Sequence, residues 1–141
     1  MSKVKPTDKQ RLEIAKWFCE QAVAFNQGKS LSCFKTDIQL NLASTMAITQ
    51  AAEQLKEVSE AVQMRYPDFP WKQIIALRNV IAHNYDGIFM DVVWETITEH
   101  LPITIEKLAD ILSNDSDLLS DDESVKDKYE FKTIADLQTK S

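Results

Sequence analysis

The stretch WKQIIALRNVIAHNY, residues 71–85, decides the fold because it predicts a helix whose apolar residues do not keep to one face. At about 100° per residue, its apolar side chains are spread nearly all round the helix. They are Trp71, Ile74, Ile75, Leu77, Val80 and Ile81. We therefore expect this helix to be buried on all sides, either at the centre of a small bundle or under a second subunit.

Three further long helices are predicted around this one. Apolar residues at three- and four-residue spacing predict helices over about 8–26 and 37–65, and another from about Asp91, with Pro102 expected to kink the last. Only 2 glycines and 4 prolines interrupt the 141 residues, which favours long helices over many short strands. The predicted fold class is all-α, an antiparallel four-helix bundle over residues 1–112.

Residues 113–141 differ from the rest of the chain in charge. They hold eight acidic residues and four lysines, and so account for −4 of the net charge of −6. A sparse apolar stripe of Val125, Tyr129, Ile134 and Leu137 runs through them. We expect either a disordered acidic tail or a short helix docked on the bundle. Because the body is nearly neutral, any contact with RNA would have to be a local patch.

Composition also excludes several classes of protein. No apolar stretch is long enough to span a bilayer, and no signal peptide precedes the first helix, so the expected location is the cytoplasm. Cys19 and Cys33 have neither the spacing nor the histidine neighbours of a zinc site. We expect two buried thiols, no metal and no cofactor.

Four polar side chains within the central helix form the only constellation that suggests chemistry: Arg78, Asn79, His83 and Tyr85. Titratable groups are costly inside an apolar helix, so a pair of them in a place expected to be buried marks a candidate site. Taken singly, each has a bland interpretation. A buried arginine is often a bundle ion pair, and a histidine near a helix C-terminus often only complements the helix dipole.

The spacing Arg78-x4-His83-x-Tyr85 resembles the R-x4-H-x-Y signature of the HepT-like HEPN-domain ribonuclease toxins. Other matching positions occur in the family's order along the chain, and together they cover roughly residues 8–112. They are Glu53, the YPDFPW stretch at 66–71, Val93-Trp94 and Leu101-Pro102. The short motif alone would be weak, but the ordered set is specific.

The resemblance implies a metal-independent endoribonuclease that acts as a symmetric homodimer, with Arg78 and His83 of both subunits meeting in a cleft. RNA supplies its own nucleophile, the 2′-hydroxyl. His83 would then serve as general base or acid, and Arg78 would stabilise charge on the phosphoryl group. Asn79 would orient the imidazole or the phosphate. Tyr85 would be where a nucleotidyltransferase antitoxin attaches AMP, blocking the cleft by charge and bulk.

Two other functions remain open at this point. A non-catalytic HEPN binding module would present a bundle surface to the nucleotidyltransferase and cleave nothing. A plain helical adaptor would leave the polar cluster unexplained. We favour the ribonuclease toxin of a toxin–antitoxin pair, because a binding module needs none of Arg78, His83 and Tyr85.

Overall fold

A computed structural model describes residues 5–83 and 87–119, and within these ranges the chain forms helices and no strand. The helices are α1 (Asp8–Phe25), α2 (Leu31–Thr36), α3 (Ile38–Lys56), α4 (Glu60–Arg65), α5 (Trp71–His83), α6 (Gly87–Glu95), α7 (Leu101–Asn114) and α8 (Ser116–Leu119), with a π-helical turn at Thr96–His100. The all-α prediction is confirmed. No helix in the described ranges combines the length and apolarity needed to cross a membrane.

The antiparallel arrangement of α1 and α3 follows from two side-chain contacts at opposite ends of the pair. The Arg11 guanidinium donates to Gln54 Oε1 at 3.2 Å, and the Asn26 amide donates to Ser44 Oγ at 2.9 Å. The beginning of α1 therefore lies at the end of α3. α1 also packs against α7, and α3 packs against α5.

α5 runs antiparallel to the rod formed by α6, the π-helical turn and α7. Lys107 Nζ donates to the carbonyl oxygen of Asp68, just before α5 begins, at 3.2 Å. Toward the other end of α5, Val80 lines a groove together with Val92 of α6. The end of α5 therefore lies beside α6, at the end of the bundle where α3 begins.

α1, α3 and α7 each contribute a fully buried leucine to the hydrophobic core. Leu12, Leu55 and Leu108, one from each of these helices, are fully buried. Cys19 of α1 is buried as well, and burial raises the pKa of its thiol to about 12. Cys33 lies on α2 and is partly exposed, so the expectation of two buried thiols is wrong for this residue.

The predicted second helix, residues 37–65, is in fact two helices. It is interrupted after Lys56, and α4 starts afresh because the Ser59 hydroxyl accepts the backbone N–H of Val62 at 3.4 Å. Val58, within the interruption, remains buried, which is why the apolar pattern runs on through the break. The short helix α2 was not predicted. Its N-cap is Ser30, whose hydroxyl accepts the backbone N–H of Cys33.

The last rod starts earlier than predicted, at Gly87, and its irregularity falls next to Pro102. Proline has no N–H, and its ring clashes with the carbonyl of the preceding turn in a regular α-helix. The chain meets this constraint with the π-helical turn at Thr96–His100, in which the Leu101 N–H bonds to the Thr96 carbonyl. The irregularity expected near Pro102 is therefore present as a π-helical turn between two α-helices.

The end of α7 is tied to the bundle through Asp115. Its buried carboxylate accepts the Tyr66 hydroxyl at 2.6 Å and the Arg65 Nη2 at 2.9 Å, and its other oxygen accepts the backbone N–H of Leu118. Burial alone would raise the pKa of Asp115, but the hydrogen bonds from Tyr66 and Arg65 outweigh it and lower that pKa. Leu118 itself is buried. The rest of the predicted tail, residues 120–141, lies outside the described residues.

Candidate nuclease site

The helix α5 is buried on one side only. Trp71 and Ile74 are its buried residues, whereas Ala76, Val80 and His83 are exposed. The expectation that this helix is covered on all sides is therefore wrong for a single chain. α3 covers one flank, and a groove separates the other flank from the α6–α7 rod. Cover by a second subunit stays a prediction.

Arg78 is directed toward α3 and is held there by two acceptors. Its Nε lies 2.7 Å from Glu53 Oε1, and its Nη1 donates to Asn79 Oδ1 at 3.2 Å. The Arg78 side chain is 41% exposed and that of Glu53 is 38% exposed. The sequence suggested that Arg78 is a buried cation. In the structure its side chain remains partly exposed, because α3 covers only one flank of α5. The guanidinium is positioned and still accessible to a ligand.

Glu53 has a role that sequence reasoning did not assign, although its position was noted in the resemblance. It lies on the exposed face of α3, in a stretch where residues 38–52 carry no ionisable side chain. The available signal was an acid that follows fifteen residues without an ionisable side chain, 38–52. The structure identifies its partner as Arg78.

His83 is the last residue of α5 and is exposed. Within the described residues it forms no hydrogen bond or ion pair with Arg78, and the five-residue spacing directs the two side chains about 140° apart around a helix. The structure therefore places Asn79 in contact with Arg78 and leaves His83 apart. Tyr85 lies outside the described residues.

Two apolar surfaces flank these residues. The first, the α3 ridge, consists of Ile38, Leu42 and Met46, which are four residues apart and more than half exposed. The second, the α5–α7 groove, has a volume of about 590 Å³ and lies between α5 and the α6–α7 rod. Val80, Val92 and Ile103 are its exposed large hydrophobic residues. The ridge lies on the Arg78 side of α5 and the groove on the Val80 side.

The ionisable residues of the described part of the chain do not assemble into a metal site. In the ranges 5–83 and 87–119, no group of three or more His, Cys, Asp or Glu side chains could hold a metal ion. His100, on the π-helical turn, is exposed and stands 4.0 Å from Glu95. The polar residues around Arg78 are therefore the candidate site of the described chain.

The fold is a helical bundle in which α5 carries an arginine, an asparagine and a histidine on its partly exposed side. Comparison with known proteins identifies the family that has these features. A sequence profile described as ribonuclease HepT-like matches residues 15–111. The matched region spans α1 to α7 and includes the whole candidate site. The chain belongs to the HepT-like ribonuclease family.

Curated relatives are similar to this chain at low identity. A candidate RNase of Caldanaerobacter subterraneus subsp. tengcongensis is 26% identical over 97 residues, 69% of this chain and 87% of the relative. A candidate RNase of Methanocaldococcus jannaschii is 24% identical over 92 residues, 65% and 76% of the two chains. A protein of Thermococcus cleftensis, named as a candidate ribonuclease HepT, is 27% identical over 74 residues, 50% and 66%. No solved structure gives a significant match.

Proposed function

We propose that this protein is a HepT-like toxin of a toxin–antitoxin pair and cleaves RNA as a metal-independent endoribonuclease. Membership of the HepT-like ribonuclease family and the names of the relatives support cleavage of RNA. The observation that carries the proposal is the exposed guanidinium of Arg78, fixed by Glu53 at 2.7 Å and by Asn79 at 3.2 Å on the helix that ends in His83. Such a cation is prepared to bind a phosphate.

In the proposed reaction, the 2′-hydroxyl of RNA attacks the adjacent phosphorus and the bond from phosphorus to the 5′-oxygen breaks. The products are a 2′,3′-cyclic phosphate and a free 5′-hydroxyl. His83 takes the proton from the 2′-hydroxyl or gives one to the leaving oxygen. Arg78 stabilises the charge that develops on the phosphoryl oxygens, and Asn79 orients Arg78 through the bond that the structure shows.

The proposed active form is a two-fold homodimer that covers the exposed side of α5. Exposed apolar side chains are clustered on the α3 ridge and in the α5–α7 groove, and such clusters are typical of a face that a partner covers. In a single chain, moreover, Arg78 and His83 point to different sides of α5, so residues of two subunits are needed to complete one site. The dimer thus supplies both the missing cover and the missing partner residue.

Control by an antitoxin is the third part of the proposal. A partner nucleotidyltransferase would transfer AMP from a nucleoside triphosphate to the hydroxyl of Tyr85, releasing pyrophosphate. Tyr85 is two residues beyond His83 in the sequence. The added phosphate would compete with RNA for Arg78, and the base would fill the space in front of His83.

The decisive test is cleavage of RNA by purified protein and by its His83→Ala and Arg78→Ala variants. Each substitution should lower the rate about 100-fold or more, since each removes a group that acts in the transition state. Both residues are at least partly exposed, so the variants should fold as the parent does. Activity should persist in excess EDTA. Full activity of His83→Ala would reject the assigned site, and loss of activity with EDTA would reject the metal-free mechanism.

One observation favours the alternative of a non-catalytic binding module. Glu53 already neutralises Arg78, and His83 does not contact it. A module that only recruits the nucleotidyltransferase would bind that partner with unchanged affinity after His83→Ala and would cleave no RNA. Measuring cleavage and partner binding on the same variants separates the two functions.

A further inference from the structure

The α5–α7 groove is an apolar surface that also carries positive charge. Val80, Val92 and Ile103 form a cluster of exposed hydrophobic residues in it, and such clusters are usually covered. The lining also includes His100 and, at the end of the groove where α5 begins, Lys107, but it includes no acidic residue. A suitable occupant is therefore apolar along most of its length and acidic where it meets Lys107.

The chain's own acidic tail, residues 120–141, has this composition in this order. Asp121, Asp122 and Glu123 form a run of three acidic residues near its start. The rest of the tail holds three acidic residues and four lysines, so its negative charge is concentrated in that run. Its apolar residues lie from Val125 to Leu137, after the run. The family profile ends at residue 111, so membership of the family does not account for the tail.

The described chain ends near the Lys107 end of the groove. Asn114, the last residue of α7, lines a cavity of about 270 Å³ together with Lys107, which also lines the groove. Asp115 then holds the chain beside Tyr66. Asn114 and Lys107 are about 10 Å apart along α7, and residues 120–123 span up to about 13 Å when extended. The acidic run can therefore reach the Lys107 side chain.

The remaining tail is long enough to cover the groove. From Lys107 to Val92 the rod of α7, the π-helical turn and α6 contains 15 residues, or about 22 Å at the rise of an α-helix. Residues 124–141 are 18 residues, which span about 27 Å even as a helix. Apolar residues of the tail can therefore be placed along the whole groove.

We infer that residues 120–141 lie in the α5–α7 groove of their own chain, with the acidic run beside Lys107 and the apolar residues over Val80, Val92 and Ile103. Lys107 donates to the carbonyl oxygen of Asp68 at 3.2 Å, which leaves two of its three N–H groups for carboxylates. Because the tail is attached to the bundle, its effective concentration at the groove is high. The α3 ridge and the exposed strip of α5 remain available to a second subunit.

A surface between α1 and α7 is the other place that the tail could reach, because α8 contacts α1. This surface carries Lys9 and Lys16, but it also carries Glu13 and Glu20. Lys16 is already paired with Glu20 at 3.2 Å. The surface thus offers no net positive charge to an acidic segment, whereas the groove does.

The docking is tested by limited digestion of the full-length protein with chymotrypsin, which can cut the tail after Tyr129 and Phe131. A docked tail is cut only when it leaves the groove. Ile103→Glu places an acid in the groove at a side chain that is 53% exposed, so the core should not be disturbed. Mass spectrometry should show cleavage of the tail accelerated about tenfold or more. Met64→Glu, at a side chain that is 72% exposed outside the groove, is the matched control and should not change the rate.

The charge contact is tested by reversal, which creates no new site for chymotrypsin. Lys107→Glu should accelerate cleavage of the tail, and so should Asp121→Lys combined with Asp122→Lys. All three substitutions together should restore slow cleavage, because the acid and the lysines then have exchanged places. Cleavage within residues 5–119 reports loss of the fold, so a variant that merely unfolds is recognised in the same experiment.

The location is tested by cross-linking with a short bismaleimide. Cys33 is partly exposed and is first replaced by serine, whereas Cys19 is buried. Ser124→Cys, directly after the acidic run, should link to Ile103→Cys, one turn from Lys107 on α7. The link should form within one chain and several times faster than with Met64→Cys as the matched control. A link between two chains would overturn docking in the same chain.

These outcomes do not depend on cleavage of RNA. Equally fast digestion of the tail in the wild type and in Ile103→Glu would show that the tail is not docked. Equally slow digestion in both, or equal cross-linking to Ile103→Cys and Met64→Cys, would show that the tail does not lie in the groove. Each of these results would overturn the inference and leave the proposed ribonuclease untouched, and absence of RNA cleavage by the wild type would reject that function alone.

Discussion

Glu53→Gln is expected to leave the fold nearly unchanged, because the ion pair that it breaks is exposed. At the Nε to Oε1 distance of 2.7 Å, two unit charges attract each other by about 1.5 kcal/mol at the dielectric constant of water. The side chains of Arg78 and Glu53 are 41% and 38% exposed, so side-chain ordering and salt screening offset most of this attraction. The free energy of unfolding, measured in urea, should therefore fall by less than about 1 kcal/mol.

The effect on catalysis should be larger and should have two parts. Without the carboxylate, Arg78 keeps a neutral acceptor but is no longer neutralised, so RNA should bind more tightly and KM should fall, most clearly at low salt. The guanidinium is also less firmly oriented, and losing about 1 kcal/mol of orientation should lower kcat about fivefold. Steady-state cleavage of a short RNA at two salt concentrations measures both quantities.

A matched control is available in Glu106→Gln. Glu106 is exposed on α7. Replacing it with glutamine changes the net charge by the same amount as Glu53→Gln, but at a residue that does not contact Arg78 in the structure. It should leave kcat unchanged. Equal values of kcat and KM for Glu53→Gln and Glu106→Gln would refute the argument that Glu53 positions Arg78. A loss of more than about 2 kcal/mol of stability would show that Glu53 is structural, since exposed ion pairs contribute less than that.

Three other outcomes are expected. Because the pKa of Asp115 is lowered in the fold, its ionised form stabilises the protein above the ordinary carboxyl pKa, and this stabilisation is lost as pH falls through the lowered value. The difference in unfolding free energy between wild type and Asp115→Asn, measured in urea, should therefore be larger at pH 7 than at pH 3. Removing residues 120–141 should keep the dimer and tighten RNA binding at low salt only, since the removed segment carries net negative charge; equal affinities in a titration at both salts would make the tail a bystander. Tyr85→Phe should still cleave RNA but accept no AMP from a nucleotidyltransferase, as mass spectrometry would show.

A truncation that removes the acidic tail should be made after Leu119 and not after Leu112. The sequence placed the end of the bundle at about residue 112, but α7 continues to Asn114, and Leu118 is buried in the core. Asp115 holds this extension through Tyr66 and Arg65. Cutting after Leu112 would remove a buried leucine and a buried carboxylate that accepts several hydrogen bonds, so a loss of stability would obscure any effect of the tail. A cut after Leu119 removes only residues beyond this anchor.

Much of the fold was predictable because the long helices combine apolar periodicity with clear ends. α1 was predicted within one residue, and Gly28, with a φ of 72°, follows it where a left-handed residue is needed. The break between α3 and α4 was not predictable in this way. Leu55, Val58 and Val62 are all buried and continue the spacing of α3 through the interruption. Only the cap at Ser59 marks the new start, and a serine within a helix pattern is ambiguous.

The exposure of the candidate site was misjudged for a different physical reason. Apolar residues all round α5 indicate burial, but the pattern does not say whether the chain itself or a second molecule provides the cover. In the single chain, Val80 is 38% exposed and His83 is exposed as well. Ile38 and Leu42 of α3 are likewise apolar and exposed in the single chain.

The spacing of the motif is itself an argument for a site shared between subunits. Residues five apart on one helix diverge by about 140°, so Arg78 and His83 cannot both reach one phosphate from the same stretch of regular helix without distortion. The structure shows α5 as a regular helix through His83, with the Arg78 side chain in contact with Glu53 of α3. Two copies of α5 related by a two-fold axis remove the conflict, because the arginine side of one helix can face the histidine side of the other. A spacing that is unfavourable within one chain becomes suitable in the proposed dimer, and a monomeric variant should therefore lose cleavage even with Arg78 and His83 unchanged.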